Sequence, residues 1–522
     1  MDSQTGILDS DNIQGENRQD IILGHPAGLF LLFFTEMWER FSYYGMRALL
    51  VLFLISDGLT GGWAWERDEA LMLYGIYTGL VYLTPIFGGL LADKILGYRK
   101  AVMLGALLMT LGHASMALET EFFFFAGLVL LILGNGAFKP NISSIVGGIY
   151  PKDSDKKDAA YTIFYMGINA GAFLGILLCG YIGEKVGWSY GFGLAGVFMF
   201  LGMLMFKFGQ GIFGEVGLKP IKENKEVLKK SEEEHETPKH IVNDRLLVIG
   251  ILAFFTIFFW MAFEQAGGSM TIFAKDYTNR VLEGDSANIF KYVNTALTII
   301  PLGIVTWVLW LLSKKITRKY PLSTLFISLS FVIIWGIALW MLNKEFNADV
   351  AEVPASWFGI LNSFFIIAFA PLFSKLWETK YNPSGPIKFS FGLILLGLGF
   401  AILAYGGRNI PNGAEVASVS MVWLILAYLL HTLGELCLSP VGLSYVSKLA
   451  AAKVVGLMFG VWFVANFVAN TLAGLTGSFI DKISETYSIS VFFLIFTFVP
   501  IIAGVILIFI TPFLKKKMHG IH

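Results

Sequence analysis

Residues 35 to 47 of the chain are Thr35-Glu36-Met37-Trp38-Glu39-Arg40-Phe41-Ser42-Tyr43-Tyr44-Gly45-Met46-Arg47. The stretch places four charged side chains inside a run, Leu29 to Ile55, that is otherwise apolar enough to span a bilayer. On a helix, the polar side chains that fall along one stripe are those of Glu36, Glu39, Arg40, Tyr43 and Arg47. A charged side chain near the centre of a bilayer costs roughly 2.5 to 3.5 kcal/mol. The stripe is therefore expected to face protein or water and to mark a functional site.

The same charges could instead form a purely structural ladder, because Glu36 and Glu39 both lie within helical pairing reach of Arg40. A structural helix could fill the same volume with leucine, however. Buried ion pairs are often no better for stability than hydrophobic replacements of similar size. The functional interpretation explains the presence of the charges better than the structural one.

The composition predicts a polytopic membrane protein. Of 522 residues, 56% are hydrophobic, and the mean hydropathy of +0.67 is far above that of a soluble chain of this length. Lys and Arg balance Asp and Glu at 38 each, so the net charge gives no argument for nucleic acid as a partner. Cys179 and Cys437 lie inside apolar runs and do not suggest a disulfide or a metal site.

Hydropathy predicts fourteen spanning helices and an all-α fold. The expected organisation is an N-terminal tail (1–28), a six-helix bundle (29–213), a charged linker (214–244), a second six-helix bundle (245–514) interrupted by an inserted helical hairpin (286–345), and a C-terminal tail (515–522). Most Lys and Arg residues between the apolar runs fall on the side of the N-terminus. The positive-inside rule therefore predicts a multi-pass protein of the cell (inner) membrane with both termini in the cytoplasm.

Three further ionisable residues interrupt apolar runs. Lys139 is a lone cation in the fourth run, and Glu264 and Glu435 are isolated acids of the second half. Lys139 could snorkel to the surface, although its run continues on both sides. Each half of the chain thus carries charges that the other half can pair with, which suits a cavity between two bundles that opens alternately to either side.

The motif Glu36-x-x-Glu39-Arg40-Phe41-x-Tyr43-Tyr44 resembles the first-helix signature of the proton-dependent oligopeptide transporters, a branch of the major facilitator superfamily. Phe164-Tyr165-x-x-Ile168-Asn169-x-Gly171 resembles the fifth-helix signature of that family. The resemblance covers nearly the whole chain. It implies a major facilitator fold of two six-helix bundles plus two extra helices, and proton-coupled import of di- and tripeptides by alternating access.

The resemblance also implies roles for individual residues. Those expected to couple protons are Glu36, Glu39, Arg40 and Glu264. Those expected to contact the substrate are Arg40, Tyr43, Tyr44, Arg47, Tyr82, Lys139, Asn169, Trp260, Asn362, Glu435, Trp462 and Asn466. The basic residues would receive the peptide carboxylate, and Glu435 would face the amino group. Asn169 could instead bridge helices, and an aromatic residue at any one of these positions could face lipid or the core.

The chain departs from the family pattern in three places. The extra helices fall after the seventh helix instead of in the central linker, which makes Asn362 rather than Asn294 the candidate of the eighth helix. Asn466 stands where a serine is common, which leaves side-chain preference open. The second helix has no histidine, so protonation should depend on carboxylates.

The expected function is therefore proton-coupled symport of di- and tripeptides, not enzyme catalysis. A same-fold symporter of nitrate or another small solute is the nearest alternative, but Glu435 would serve no purpose for an anion without an amine. A peptide sensor that does not transport is the second alternative. We expect no metal and no cofactor, with protons as the coupling ion; peptide preference, proton stoichiometry and oligomeric state stay open.

Overall fold

The computed structural model describes residues 21–151, 154–219, 238–348, 350–380, 382–450 and 454–521. The predicted N-terminal tail up to residue 20 and most of the predicted linker, 220–237, lie outside the described residues. The fourteen long helices of the described part are α1 (Ala27–Ile55), α2 (Arg67–Leu91), α3 (Tyr98–Met116), α4 (Glu121–Gly148), α5 (Lys157–Lys185), α6 (Trp188–Gly209), α7 (Lys239–Phe263), α8 (Gly284–Ile316), α9 (Pro321–Phe346), α10 (Ile360–Trp377), α11 (Gly385–Gly406), α12 (Val422–Leu449), α13 (Val455–Gly477) and α14 (Ile489–Lys517). The predicted all-α major facilitator architecture with two extra helices is confirmed.

Twelve segments of the described chain are long and apolar enough to cross a membrane by themselves. The other two long helices are α1, which carries the four charges of the first-helix motif, and α3, which begins with a basic turn. Neighbouring helices enclose α1, which packs along α5 and α6, whereas α3 packs along α4 and α6 and keeps an outer face with Leu104, Leu107 and Leu111 exposed. Protein contacts therefore replace lipid around the helix that carries the four charges.

Two bundles enclose the centre of the molecule. The first contains α1 to α6, and the second contains α7 and α10 to α14. They meet where α2 packs on α13 and where α5 packs on α10. At the first crossing a Cβ added to Gly75 would lie 2.5 Å from the Cα of Gly474, so only two glycines permit the backbones to approach this closely.

The helical hairpin formed by α8 and α9 is inserted between α7 and α10 in the sequence, yet it packs on the first bundle. The Ser323 hydroxyl on α9 donates to the Met205 carbonyl on α6 at 2.8 Å. Phe331 on α9 meets the indole of Trp38 on α1 edge-on, with ring centroids 5.6 Å apart. The hairpin therefore connects covalently to the second bundle but lies against α6 and α1.

Six two-residue strands form short ladders in the connections. The strands are β1 (Ile21–Ile22), β2 (His25–Pro26), β3 (Thr278–Asn279), β4 (Val281–Leu282), β5 (Ala351–Glu352) and β6 (Val419–Ser420). β1 pairs with β2 and β4 with β5 in antiparallel register, while β3 pairs with β6 in parallel. The β4–β5 ladder joins the two ends of the hairpin to each other, and the β3–β6 ladder joins the segment before the hairpin to the connection that precedes α12.

We call the end of the molecule where α1 begins and α14 ends the tail face, and the end where α1 finishes the opposite face.

The predicted linker, 214–244, ends earlier than expected, because α7 begins at Lys239. The sequence 239–245 is charged, and a spanning helix can continue beyond the hydrocarbon as long as its polar side chains reach water. An apolar run thus predicts where a helix crosses the membrane but not where it ends.

Candidate functional site

A cavity of about 510 Å³ lies between the two bundles. Residues from both bundles line it, and those singled out from the sequence that do so are Glu36, Arg40, Tyr44, Arg47, Tyr82, Lys139, Asn169, Trp260, Glu264, Asn362, Glu435, Trp462 and Asn466. Side chains that are hundreds of residues apart in the sequence therefore line the same cavity. Asn294, by contrast, is buried in the hairpin and is not part of the lining.

Arg40 lies between the two acids of the first-helix motif. Its Nε is 3.2 Å from Glu36 Oε1, and its Nε and Nη2 both donate to the Glu39 carboxylate. All three side chains are almost completely buried. The ladder considered in the sequence therefore exists, but it is joined to the cavity through Glu36 and Arg40.

Two residues predicted for the site do not line the cavity. Glu39 has no exposed surface and sits behind Arg40, and Tyr43 is also buried, with its ring centroid 5.2 Å from the guanidinium carbon of Arg40. The expectation that Tyr43 is a cavity tyrosine is corrected accordingly. Successive helix positions are rotated by about 100°, so Arg40 and Tyr44, four positions apart, face the cavity while Tyr43 turns away.

An ion pair between Arg47 and Glu264 crosses from the first bundle to the second. The Arg47 Nε also donates to the Tyr74 hydroxyl at 2.8 Å, and that hydroxyl lies 3.3 Å from Glu264 Oε2. Glu264 is placed at the point where α7 gives way to a 3-10 turn, Glu264–Gly267. The pairing inferred from the resemblance is thus present, with a tyrosine of α2 as a third member.

Lys139 points into the cavity from α4. Its Nζ lies 4.6 Å from the centroid of the Tyr82 ring, within the range of a cation–π contact. Among the described residues it forms no ion pair within 4 Å. A cation in this position is available to an anionic group of a ligand.

Glu435 faces the cavity from α12 in the second bundle. The Asn362 amide on α10 donates to Glu435 Oε2 at 2.8 Å and lies 3.2 Å from the Thr432 hydroxyl. No cation of the described residues pairs with Glu435. The carboxylate is therefore positioned by a neutral amide and keeps its charge available to a cationic group of a ligand.

The remaining predicted residues complete the walls. The amides of Asn169 and Asn466 donate to carbonyls one turn back on their own helices, at 3.0 and 2.9 Å. Trp462 packs over Gly442, where an added Cβ would come within 2.4 Å of the indole. Trp260 lies edge-on to Phe263 at 5.1 Å between centroids. Neither asparagine bridges two helices through the hydrogen bond described here.

The opposite face is closed by polar contacts between the bundles. Arg67 of α2 pairs with Asp276 and Asp481, both at 2.8 Å. The Glu184 carboxylate at the end of α5 accepts hydrogen bonds from the backbone amides of Ala355 and Ser356, both at 2.9 Å. These contacts join the first bundle to three separate segments of the second.

Glu352 is a titratable residue of the closed face that lies outside the membrane-spanning helices. Glu352 pairs with Lys185 at the end of α5 and with Arg280, whose Nη1 is 3.1 Å away. Burial raises the pKa of the Glu352 carboxyl, but the hydrogen bond from Lys185 and the charge of Arg280 outweigh burial and hold that pKa below its usual range. The ionised form of Glu352 is therefore the one that the closed face stabilises.

The tail face lacks the contacts that close the opposite face, because the ion pairs described at that end, Asp244 with Lys517 and with His519, both lie within the second bundle. Tyr165 on α5 lines the cavity and is nevertheless 44% exposed. Since the opposite face is held shut, the exposed part of the cavity opens toward the other end. The conformation is thus closed on one side and accessible from the other.

Sequence reasoning missed several residues of the site. Tyr165 lies in the fifth-helix motif but is not among the predicted contacts, and Tyr428 lines the cavity while its hydroxyl donates to the Ala266 carbonyl at 3.2 Å. Asn135 on α4 donates to Glu39 Oε1 at 3.0 Å. An amide inside an apolar run, one turn before Lys139, was the available signal for Asn135.

Comparison with known proteins identifies relatives over the whole chain. The family model described as POT family matches residues 99–231 and 330–495. An uncharacterized transporter of Bacillus subtilis, YclF, is 34% identical, and the alignment covers 98% of this chain and 99% of that protein. A di-/tripeptide transporter of Lactococcus lactis subsp. cremoris is 32% identical over 95% of this chain and 97% of its own length.

Solved structures of similar proteins give the same result. A peptide transporter POT in complex with sulfate has a TM-score of 0.76 at 29% identity, with 98% of this chain and all of that chain covered. A variant of a peptide transporter POT in complex with alafosfalin has a TM-score of 0.75 at 28% identity, over 98% of this chain and 100% of its own. The likeness therefore extends to the arrangement of both bundles.

Proposed function

The chain belongs to the POT family, and from that premise we propose that it is a proton-coupled symporter of di- and tripeptides that works by alternating access. It is a membrane transporter and not an enzyme. Its relatives include proteins named for transport of di- and tripeptides. The proposal for this chain depends on the charges of its own cavity.

The observation that carries the proposal is the arrangement of Lys139 and Glu435. Lys139 lies on the wall formed by the first bundle and lacks a carboxylate partner among the described residues, and Glu435 lies on the wall of the second bundle without a cation. A peptide is a zwitterion with a carboxylate at one end and an ammonium group at the other. It can satisfy both charges at once and so draw the two walls together.

Proton coupling would use the acids that are paired with arginine. Protonation of Glu264 would remove the charge that holds Arg47, and the bridge between the bundles would weaken. Protonation of Glu36 would free one side of Arg40. In both cases the proton and the peptide act on the same set of charges, which is the physical requirement for coupling.

The closed opposite face supports an assignment of the conformation. With the tail face in the cytoplasm, as the positive-inside rule favours, the cavity is accessible from the cytoplasm. Transport then requires the contacts of Arg67, Glu184 and Glu352 to break so that the cavity opens to the other side. Such rocking of two bundles around a fixed midplane site is typical of transporters built from repeats.

The test is uptake of labelled dialanine by proteoliposomes that contain the purified protein. We expect accumulation when the outside is acidic, and exchange of label without accumulation when peptide is loaded inside and no gradient is present. Glu36→Gln should lose gradient-driven accumulation but keep exchange, because glutamine cannot bind a proton. Accumulation by the parent protein without a proton gradient would contradict the coupling, and failure to exchange any peptide would contradict the substrate.

Transport of nitrate or another small anion is the second candidate, and the same assay separates it. A solute with no amine leaves Glu435 as an unpaired buried charge next to Asn362. Peptide exchange that nitrate does not inhibit would support the peptide assignment. Inhibition by nitrate at concentrations comparable to those of peptide would favour the anion.

A further inference from the structure

The two acids of the first-helix motif are held in different ways. Glu39 Oε1 accepts hydrogen bonds from Arg40 Nη2 at 2.6 Å and from Asn135 Nδ2 at 3.0 Å, while Oε2 accepts from Arg40 Nε. Three donors therefore surround a carboxylate that has no exposed surface. A carboxylate that accepts several hydrogen bonds is stabilised in its ionised form.

Glu36 has fewer partners and more access. It lines the cavity, its Oε1 is 3.2 Å from Arg40 Nε, and its Oε2 has no hydrogen-bond partner among the described residues. The charged groups that act on Glu36 are Arg40 and Glu39 on α1 and Lys139 on α4. An oxygen without a donor can take up a proton without losing an existing hydrogen bond.

The amide of Asn135 is the hydrogen-bond donor that Glu39 has and Glu36 lacks. It is completely buried, and its only side-chain hydrogen bond is the one to Glu39, since its own Oδ1 has no partner among the described residues. A buried amide with one unsatisfied oxygen costs stability, so packing alone does not explain it. Tyr77 on α2 is also an ionisable neighbour of Glu39, and its buried hydroxyl has no hydrogen-bond partner in the part of the chain that the structure describes.

We propose that Asn135 is a positioning residue for proton coupling, which holds the Glu39 carboxylate against Arg40 and leaves proton exchange in the motif to Glu36. This inference depends on the proton-coupled transport proposed above. Without the Asn135 donor, Glu39 is bound by Arg40 alone, and the two acids become similar in their affinity for a proton. They then share one proton as a coupled pair.

The test replaces the amide and follows the pH dependence of transport. Asn135→Leu keeps the number and branching of the side-chain heavy atoms, is larger and has no donor, and Asn135→Ser restores a small donor. For the leucine variant we expect the midpoint of gradient-driven dialanine uptake to rise by about one pH unit, equivalent to a ten-fold change in proton affinity. At pH values above the parent midpoint, gradient-driven uptake should therefore rise by up to about ten-fold, because more of the carrier is protonated there, while exchange without a gradient stays within about two-fold of the parent. The serine variant should return toward the parent midpoint.

Asn141 supplies a matched control on the same helix. Its amide donates to the carbonyls of Gly88 at 3.2 Å and Ala137 at 2.7 Å, so it is buried and hydrogen-bonded but does not reach Glu39. Asn141→Ala should leave the midpoint unchanged. If Asn135→Leu does not fold, Asn135→Ala replaces it, with thermal unfolding used to confirm that the variant is folded.

Two results would overturn the inference alone. In the first, the leucine or alanine variant keeps the parent midpoint and the parent rate of driven uptake; in the second, exchange and driven uptake fall by the same factor, which indicates a role in folding or substrate binding. A parent protein whose uptake does not respond to a pH gradient would overturn the proposed function instead. The parent measurement thus separates the two failures.

Discussion

Arg47 on α1 and Glu264 at the end of α7 form an ion pair that joins the two bundles across the cavity, although 217 positions separate them in the sequence. Tyr74 on α2 donates to the same carboxylate and accepts from the same guanidinium. In the proposed transport cycle, this pair separates when the opposite face opens. Protonation of Glu264 and movement of the two bundles would therefore both act on this ion pair.

The first prediction is that Glu264→Gln uncouples transport from the proton gradient. Glutamine can still accept a hydrogen bond from Arg47 but cannot carry a charge or a proton. Gradient-driven dialanine uptake should fall at least about ten-fold, while binding of dialanine in detergent changes less. An unchanged concentrating ability would show that Glu264 has only a structural role.

The second prediction concerns recognition of the amino end of the peptide by Glu435. Glu435→Gln should weaken binding of free dipeptides about ten-fold or more, because a charged hydrogen bond contributes roughly 1.5 to 3 kcal/mol. N-acetylated dipeptides carry no ammonium group and should lose little affinity. Competition against labelled dialanine measures both, and equal losses for the two ligands would remove the proposed role.

The third prediction compares two asparagines. Asn362 lines the cavity and donates to Glu435 at 2.8 Å, whereas Asn294 is buried inside α8 with its Oδ1 3.4 Å from the Thr298 hydroxyl. Asn362→Ala should impair dialanine uptake, and Asn294→Ala should leave it nearly unchanged. The opposite ranking in the same uptake assay would mean that α8, not α10, forms the wall of the site.

The fourth prediction is that the hairpin of α8 and α9 moves with the first bundle. A Cβ on Gly209 of α6 would lie 2.6 Å from Ser323 Oγ on α9, so Gly209→Cys with Ser323→Cys is within reach of a disulfide. Gly180→Cys with Ser356→Cys joins the two bundles at the closed face in the same way, since an added Cβ on Gly180 would lie 3.0 Å from Ser356 Cβ.

Oxidation of the Gly209→Cys/Ser323→Cys variant should leave its dialanine uptake intact, because the hairpin and α6 would move as one body. Oxidation of the Gly180→Cys/Ser356→Cys variant should block uptake, and a reductant should restore it. Both pairs would be built in a chain with Cys179→Ala and Cys437→Ala, so that only the added thiols can react. Reversible inhibition of the α6–α9 pair would show that the hairpin shifts relative to the first bundle during transport.

The fifth prediction is a pH dependence of stability from Glu352. The pKa of Glu352 is lowered in the folded protein from its usual value of 4.5, so its ionised form stabilises the fold above that value. The contribution is lost as the pH falls through the folded-state pKa. Glu352→Gln should therefore lower the melting temperature at pH 7, and the difference from the parent should shrink below about pH 4.5 and vanish once the pH is below the lowered folded-state pKa. Glu485→Gln, an exposed acid after α13, is the control and should have no effect at either pH.

Much of the fold was predictable because the rules for crossing a bilayer are local. About 20 apolar residues are needed for each spanning helix, so hydropathy located all fourteen helices, including the two that follow α7. The same local rule marks the charges of α1, and those of Lys139, Glu264 and Glu435, as unusual inside apolar runs, even when their partners are not known. The ends of the helices were less predictable, as the start of α7 at Lys239 illustrates.

Only the tertiary structure decided which charges meet and which face the cavity. The rotation of α1 about its axis turns Glu36 and Arg40 toward the cavity and Glu39 toward Asn135, and it buries Tyr43. Packing of the bundles joins Arg47 to Glu264 and leaves Lys139 without an acid among the described residues. These contacts depend on the packing of helices far apart in the chain, which a local pattern of residues does not contain. The sequence by itself therefore determined which helices carry ionisable groups, while helix packing determined the partner and the accessibility of each group.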